Sequence, residues 1–397
     1  MRIALYFFMV VVCCTACSKK KASPPPPAVK PAIKIENSSQ ERLTAAAQMH
    51  FTISLDKTTN VPVYVNYTLQ NGTATAPKDY TSASGTITIP PNQARADLSV
   101  RISGDPTNTR EDNLEFSVVL SNPQNGSLAT ATAKGIIITE NGTNFVTADE
   151  GYTTPTTYPG YTLAWSDEFS GNSLNDGFWN YETGNGSGGW GNNELEYYTN
   201  STKNVFVSNG NLIIEARKEA TGNFSYTSAR LTTQNKKNFQ YGRVDIRAKL
   251  PKGKGIWPAL WMLGSNINTT PWPGCGEIDI MELLGHEPSK TYSTLHYGTT
   301  ANHGSNGNSY TLSGSTFYDK FHVFSMIWIK DSIKVYVDDN PELEFKKSDV
   351  GSSTYPFNTP FFFIFNVAVG GNWPGNPDAT TQFPQRMIVD YIRVFQQ

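Results

Sequence analysis

Along most of this chain, apolar residues recur at every second position, and no long stretch keeps the 3.6-residue spacing of a helix. In the first part the runs are Val61-Pro-Val-Tyr-Val-Asn-Tyr67, Ala96-Asp-Leu-Ser-Val-Arg-Ile102, Leu114-Glu-Phe-Ser-Val-Val-Leu120 and Gly135-Ile-Ile-Ile-Thr139. In the second they are Asn211 to Arg217, Gly242 to Ala248, Phe321 to Trp328, Ile333 to Asp338, Phe361 to Val367 and Met387 to Phe395. Turn signals such as Asn71-Gly72 separate them. Such a chain can bury its apolar faces only as packed β-sheets, so the expected class is all-β.

A chain of 397 residues is long for one sandwich, and all eight tryptophans lie from Trp165 onward. This break predicts a sandwich of about seven strands over 33–141, a Thr/Pro/Gly-rich linker over 142–160, and a second all-β domain over 161–397. With 32 Lys and Arg against 34 Asp and Glu, the chain lacks the basic field that a nucleic-acid partner needs. Its 21 Phe, 19 Tyr and 8 Trp suffice for sizeable cores and exclude wholesale disorder.

The N-terminus carries Met1-Arg2, an apolar run from Ile3 to Val12, and Cys14-Thr15-Ala16-Cys17. A basic start, a short apolar core and small residues read as an export signal over 1–16; the run is too short to span a bilayer. The pattern resembles a bacterial lipoprotein signal, which implies a lipid on Cys17; simple cleavage after Ala16 is the alternative. Residues 17–32, with four consecutive prolines, then form a stiff tether. The expected location is the bacterial cell envelope, with the membrane reached through the lipid anchor alone and the protein a monomer. Cys275 is left as a lone thiol, expected to pack as a small hydrophobe.

Gly276-Glu277-Ile278-Asp279-Ile280-Met281-Glu282 places three carboxylates on an otherwise apolar strand. Alternation puts Glu277 and Asp279 on one face and would put Glu282 on the other. One extra residue near Ile280-Met281, a β-bulge, would return Glu282 to the first face. Two glutamates on one groove, one ionised and one protonated, suit a retaining glycosidase.

The same residues resemble the bulged E-x-D-x-x-E strand of glycoside hydrolase family 16, in its laminarinase-like branch. The resemblance extends over 161–397. It includes Trp165-Ser-Asp-Glu-Phe169, Gly189-Trp-Gly-Asn-Asn-Glu194, Tyr241 to Pro251, Gly255 to Leu263, Asn366 to Gly375 and Phe383 to Met387. It implies a concanavalin A-like β-jelly-roll with a concave groove. Glu277 would be the nucleophile, Asp279 its assistant and Glu282 the acid/base. The substrate would be a β-1,3-glucan polysaccharide, with no cofactor for catalysis.

Tryptophans beside Gly, Pro or Asn offer flat faces to sugars. Trp190, Trp257, Trp272 and Trp373 are therefore candidate groove residues, and the resemblance adds Trp261, with Asn193, Glu194, Arg247 and His296 as polar partners. Trp165, Trp179 and Trp328 read as core. The resemblance also implies a structural calcium on the carbonyls of Glu168 and Gly210 and the carboxylate of Asp390. The first domain resembles a Calx-β module through Tyr67 to Ala74, Asp79-Tyr80, Gly85-Thr86, Glu111-Asp112 and Glu115-Phe-Ser-Val118. Such modules bind calcium through clustered acids, but Thr139-Glu140-Asn141 stands where many carry an acidic pair. Two rival functions stay open: a hydrolase of mixed-linkage glucan or a galactan, and a non-catalytic glucan-binding protein.

Overall fold

The computed structural model describes residues 30–397. The expected signal and Cys17 lie outside them, as does all but the end of the tether. No helix among the described residues is long and apolar enough to cross a membrane.

The first domain is a sandwich of a four-stranded and a five-stranded sheet. Nine strands appear rather than about seven, because the chain crosses between sheets at its start. Ala32–Ile35 pairs antiparallel with Ala47–Leu55, whereas Ser38–Glu41 runs parallel to Thr132–Ile138. Its core is filled by alternate residues such as Met49, Phe51, Ile53, Val63, Val65, Phe116 and Val118.

The second domain is two stacked sheets over one large core. The concave sheet comprises β1 (Asn180–Glu182), β2 (Arg230–Thr232), β3 (Ile256–Gly264), β4 (Glu277–Leu283), β5 (Lys290–Thr299), β6 (Asn302–Thr311) and β7 (Phe361–Val369). Its spatial order is β1-β2-β7-β3-β4-β5-β6. The convex sheet is built on Gln385–Gln396 flanked by Gly242–Lys249 and Asn211–Ala216.

Period-two alternation decides what each strand shows. On β3, Ile256, Leu260 and Met262 enter the core, leaving Trp257, Ala259, Trp261 and Leu263 on the open face. On β7, Phe361, Phe363, Phe365, Val367 and Val369 fill the core, while Asn366 and Ala368 look outward. Trp165, Trp179 and Trp328 are core residues.

The stretch 142–160 joins the domains but does not hang free. It straps across the convex sheet: Phe145 N–H donates to Ser208 Oγ at 2.9 Å, Thr154 N–H to the Tyr391 hydroxyl at 3.0 Å, and Tyr158 OH to Asp245 at 2.7 Å. The domains are also pinned directly. Arg110 reaches out of the first sandwich to donate to the carbonyls of Thr202 and Lys203 at 3.0 and 2.6 Å and to Glu215 at 3.0 Å.

Candidate active site

Glu277, Asp279 and Glu282 all emerge on the concave face because β4 is bulged. Against β3, Asp279 pairs with Trp261 and Met281 with Leu260, so Ile280 has no opposite number. Against β5, Asp279 faces Thr294 and Glu282 faces Tyr292, so two residues of β4 oppose Ser293 alone. Ile280 and Met281 consequently both point into the core. Ser293 Oγ donates to the freed carbonyl of Ile280 at 2.9 Å. Gly276 starts the strand with φ of +84°; a Cβ there would sit 2.8 Å from Phe361 and Pro356.

The acids lie on the floor of a groove of about 660 Å3, walled by Trp190, Trp257, Trp261, Trp272 and Trp373. Trp257 Nε1–H donates to Glu282 Oε1 at 3.0 Å. His296, opposite Glu277 across the β4–β5 ladder, brings Nε2 to 3.4 Å from Asp279 and 3.8 Å from Glu277. Trp261 Nε1–H donates to Asn366 Oδ1 at 2.8 Å; Asn366 donates to the Tyr198 hydroxyl at 3.1 Å, which donates to Glu194 at 3.1 Å. Glu194 lines the groove at the end of this chain of bonds.

Burial dominates the electrostatics. It pushes Glu277 up to about 8, with the Asp279 charge adding and His296, the Trp272 side chain and Arg230 pulling back. It pushes Asp279 up to about 8 as well. Glu282 is raised as well, by burial and then by the charges of Asp279 and Glu277. The Cys275 thiol is buried and pushed up to about 11, a packing group rather than a nucleophile.

Several expected residues stand elsewhere. Arg247 is not in the groove. It lies on Gly242–Lys249, where Val244, Ile246 and Ala248 take the core side and leave it on the outer face of the convex sheet. There it donates to Asp390 Oδ2 at 2.7 Å, to the Tyr152 carbonyl at 2.7 Å, and to Asp149. Asn193 does not line the groove; it donates to Asn372 at 2.8 Å and fastens the loop that carries Trp373. Of the residues expected to hold a calcium, Asp390 turns Oδ2 to the Arg247 guanidinium at 2.7 Å. The Glu168 carboxylate likewise pairs with Arg393 at 2.7 Å.

Sequence reasoning missed Arg230, Asn192, Asn366, Thr294 and His303, all of which line the groove. Arg230 is held by Glu182 and lies over the rings of Trp190 and Trp261, at 4.3 and 4.8 Å. Its only sequence signal was the single residue in a short strand, which carries no pattern.

The chain belongs to the glycosyl hydrolases family 16, whose model matches residues 192–393. A Calx-beta domain model matches residues 29–142.

Over 247 residues the chain is 39% identical to a beta-glucanase of Rhodothermus marinus, covering 60% of this chain and 86% of that one. It is 40% identical over 261 residues to glucan endo-1,3-beta-glucosidase A1 of Niallia circulans. That match covers 60% of this chain but only 38% of the Niallia protein. The crystal structure of the laminarinase catalytic domain of Thermotoga maritima superimposes with a TM-score of 0.57 at 49% identity, covering 60% of this chain and 98% of that one.

Proposed function

We propose that the protein is a retaining endo-hydrolase of β-1,3-glucan, with Glu277 as nucleophile, Glu282 as acid/base and Asp279 positioning the nucleophile. The observation that carries this reading is the bulge, which turns Glu277 and Glu282 into one aromatic-walled groove. The relatives named for β-1,3-glucan or laminarin hydrolysis support the substrate.

Protonated Glu282 gives its proton to the glycosidic oxygen as that C–O bond breaks, and the Glu277 carboxylate bonds to C1 from the opposite face. Glu282, now ionised, takes a proton from water, whose oxygen displaces Glu277 from C1. Configuration is inverted twice and so retained. Trp257, through its N–H on Glu282, steadies the acid in both steps. The open groove suits an internal stretch of polysaccharide.

Incubation with laminarin, followed by NMR of the first product, tests this reading. A β-anomer supports it and an α-anomer removes the nucleophile role from Glu277. Glu277→Ala loses hydrolysis, and azide restores turnover with an α-glycosyl azide as product; Glu282→Ala gives the β-azide with an activated substrate. Laminarin, lichenan and agarose compared side by side separate the β-1,3-glucan reading from its same-family rivals. We also propose export and anchoring through Cys17; Cys17→Ser would then release the protein from the membrane fraction.

A further inference from the structure

We propose that His303 is a positioning residue: it fixes which nitrogen of His296 carries the proton, and so presents an N–H to Glu277 and Asp279. The proposal rests on the reading of Glu277 as the nucleophile.

His303 sits on β6, one hairpin beyond His296 on β5. Their rings lie 5.1 Å apart at 22°, and His296 Nδ1 is 2.9 Å from His303 Nε2. Trp272 packs on both, at 6.0 Å from His296 and 4.9 Å from His303. The other nitrogen of His296, Nε2, is the one facing Asp279 at 3.4 Å and Glu277 at 3.8 Å.

A separation of 2.9 Å between two ring nitrogens holds one proton. If His296 Nδ1 held it, a neutral His296 would turn the Nε2 lone pair toward the carboxylates, which repel it. If His303 Nε2 holds it, His296 Nδ1 accepts, and Nε2–H points at the acids. Only the second arrangement stabilises ionised Glu277 without requiring a charged imidazole. Burial and the neighbouring His296 hold His303 below the ordinary histidine range, which favours its neutral form. The other charged groups that act on Glu277 are Asp279, Glu282 and Arg230. None of them touches His296 Nδ1, so the tautomer is left to His303.

The test uses the full chain and two readouts. The first is the pH profile of kcat/KM on laminarin. In His303→Phe the acid limb, where Glu277 ionises, should move up by roughly half a unit to one unit, since the carboxylate loses its N–H partner. At pH 6 kcat should fall about three- to tenfold while KM stays within about twofold. His303→Gln, whose amide can still donate, should return the limb toward wild type. The second readout is 15N NMR of the histidine side chains. His296 should show a protonated Nε2 in the wild type and lose that preference in His303→Phe. An unshifted acid limb, or an unchanged His296 tautomer, overturns the proposal. If the wild type leaves laminarin intact, the substrate reading falls, while the tautomer measurement still decides the role of His303.

Discussion

At the residue scale, the acids on the groove floor are a standing cost to the fold. Asp279 has a folded pKa of about 8 against an ordinary 3.8, because burial penalises its charge. Between about pH 4 and pH 8 the folded state keeps a proton that the unfolded state releases, so this group makes stability fall as pH rises. Asp279→Asn should therefore raise Tm by a few degrees at pH 8, by about 2 °C or more, and by little at pH 4. Thermal melts at the two pH values check this, and an equal change at both would refute the linkage. The same substitution should slow hydrolysis by about tenfold or more while KM stays near wild type. Trp257→Phe removes the N–H that lowers the Glu282 pKa. The acid then holds its proton to higher pH, so the basic limb of the rate profile should move upward.

At the element scale, one extra residue in β4 does what no point change could do. Inward Ile280 and Met281 restore the core contact that the parity shift would break. Ser293 caps the carbonyl set loose between them. Ser293→Ala leaves that buried oxygen without its donor, which costs about 1–3 kcal/mol. It should also lower kcat several-fold with little change in KM, because Glu282 is re-aimed while the tryptophan walls remain. Denaturant melts and steady-state kinetics on laminarin read the two effects separately; full activity would show that the bulge holds without its cap. The alternation along β3 is equally specific: moving Trp257 and Trp261 by one position would bury both and expose Ile256 and Leu260.

At the scale of the whole molecule, the two domains share buried charge. Glu215 is fully buried and receives Arg110 from the first domain together with Arg217 and Arg386 from the second. Arg110 also stacks on Phe206 at 4.0 Å. Arg110→Ala leaves Glu215 two cations and removes the buried interdomain ion pair, with Arg217–Glu140 and Arg386–Asp112 still bridging the domains, at a cost of about 2–3 kcal/mol. Unfolding of the wild type should be one transition, and that of the variant should split into two, read by calorimetry. Hydrolysis of soluble laminarin should survive, since the groove opens on the sheet remote from this contact. Truncation at Tyr158 would be harsher than truncation at Gly142. It removes Asp149 from Arg247 and the Thr154 contact from Tyr391.

The sequence by itself determined the all-β class, the second domain's site-bearing strand and the bulge, because period-two alternation is a local property. Three acids with mismatched parity can share a face only if the strand gains a residue there. Alternation says which side chains share a face, but not which way that face looks. Arg243, Asp245 and Arg247 alternate with core residues as plainly as Trp257 and Trp261 do. Which sheet each strand joins decides that one set lines the groove and the other lies under the 142–160 strap. Arg230 and Asn366 were invisible for the same reason: each is a single residue brought to the acids by pairing between distant strands, while His303 enters on the hairpin next to His296. Sheet order is fixed by burying one common core, a free energy summed over the whole domain and written in no single stretch of chain.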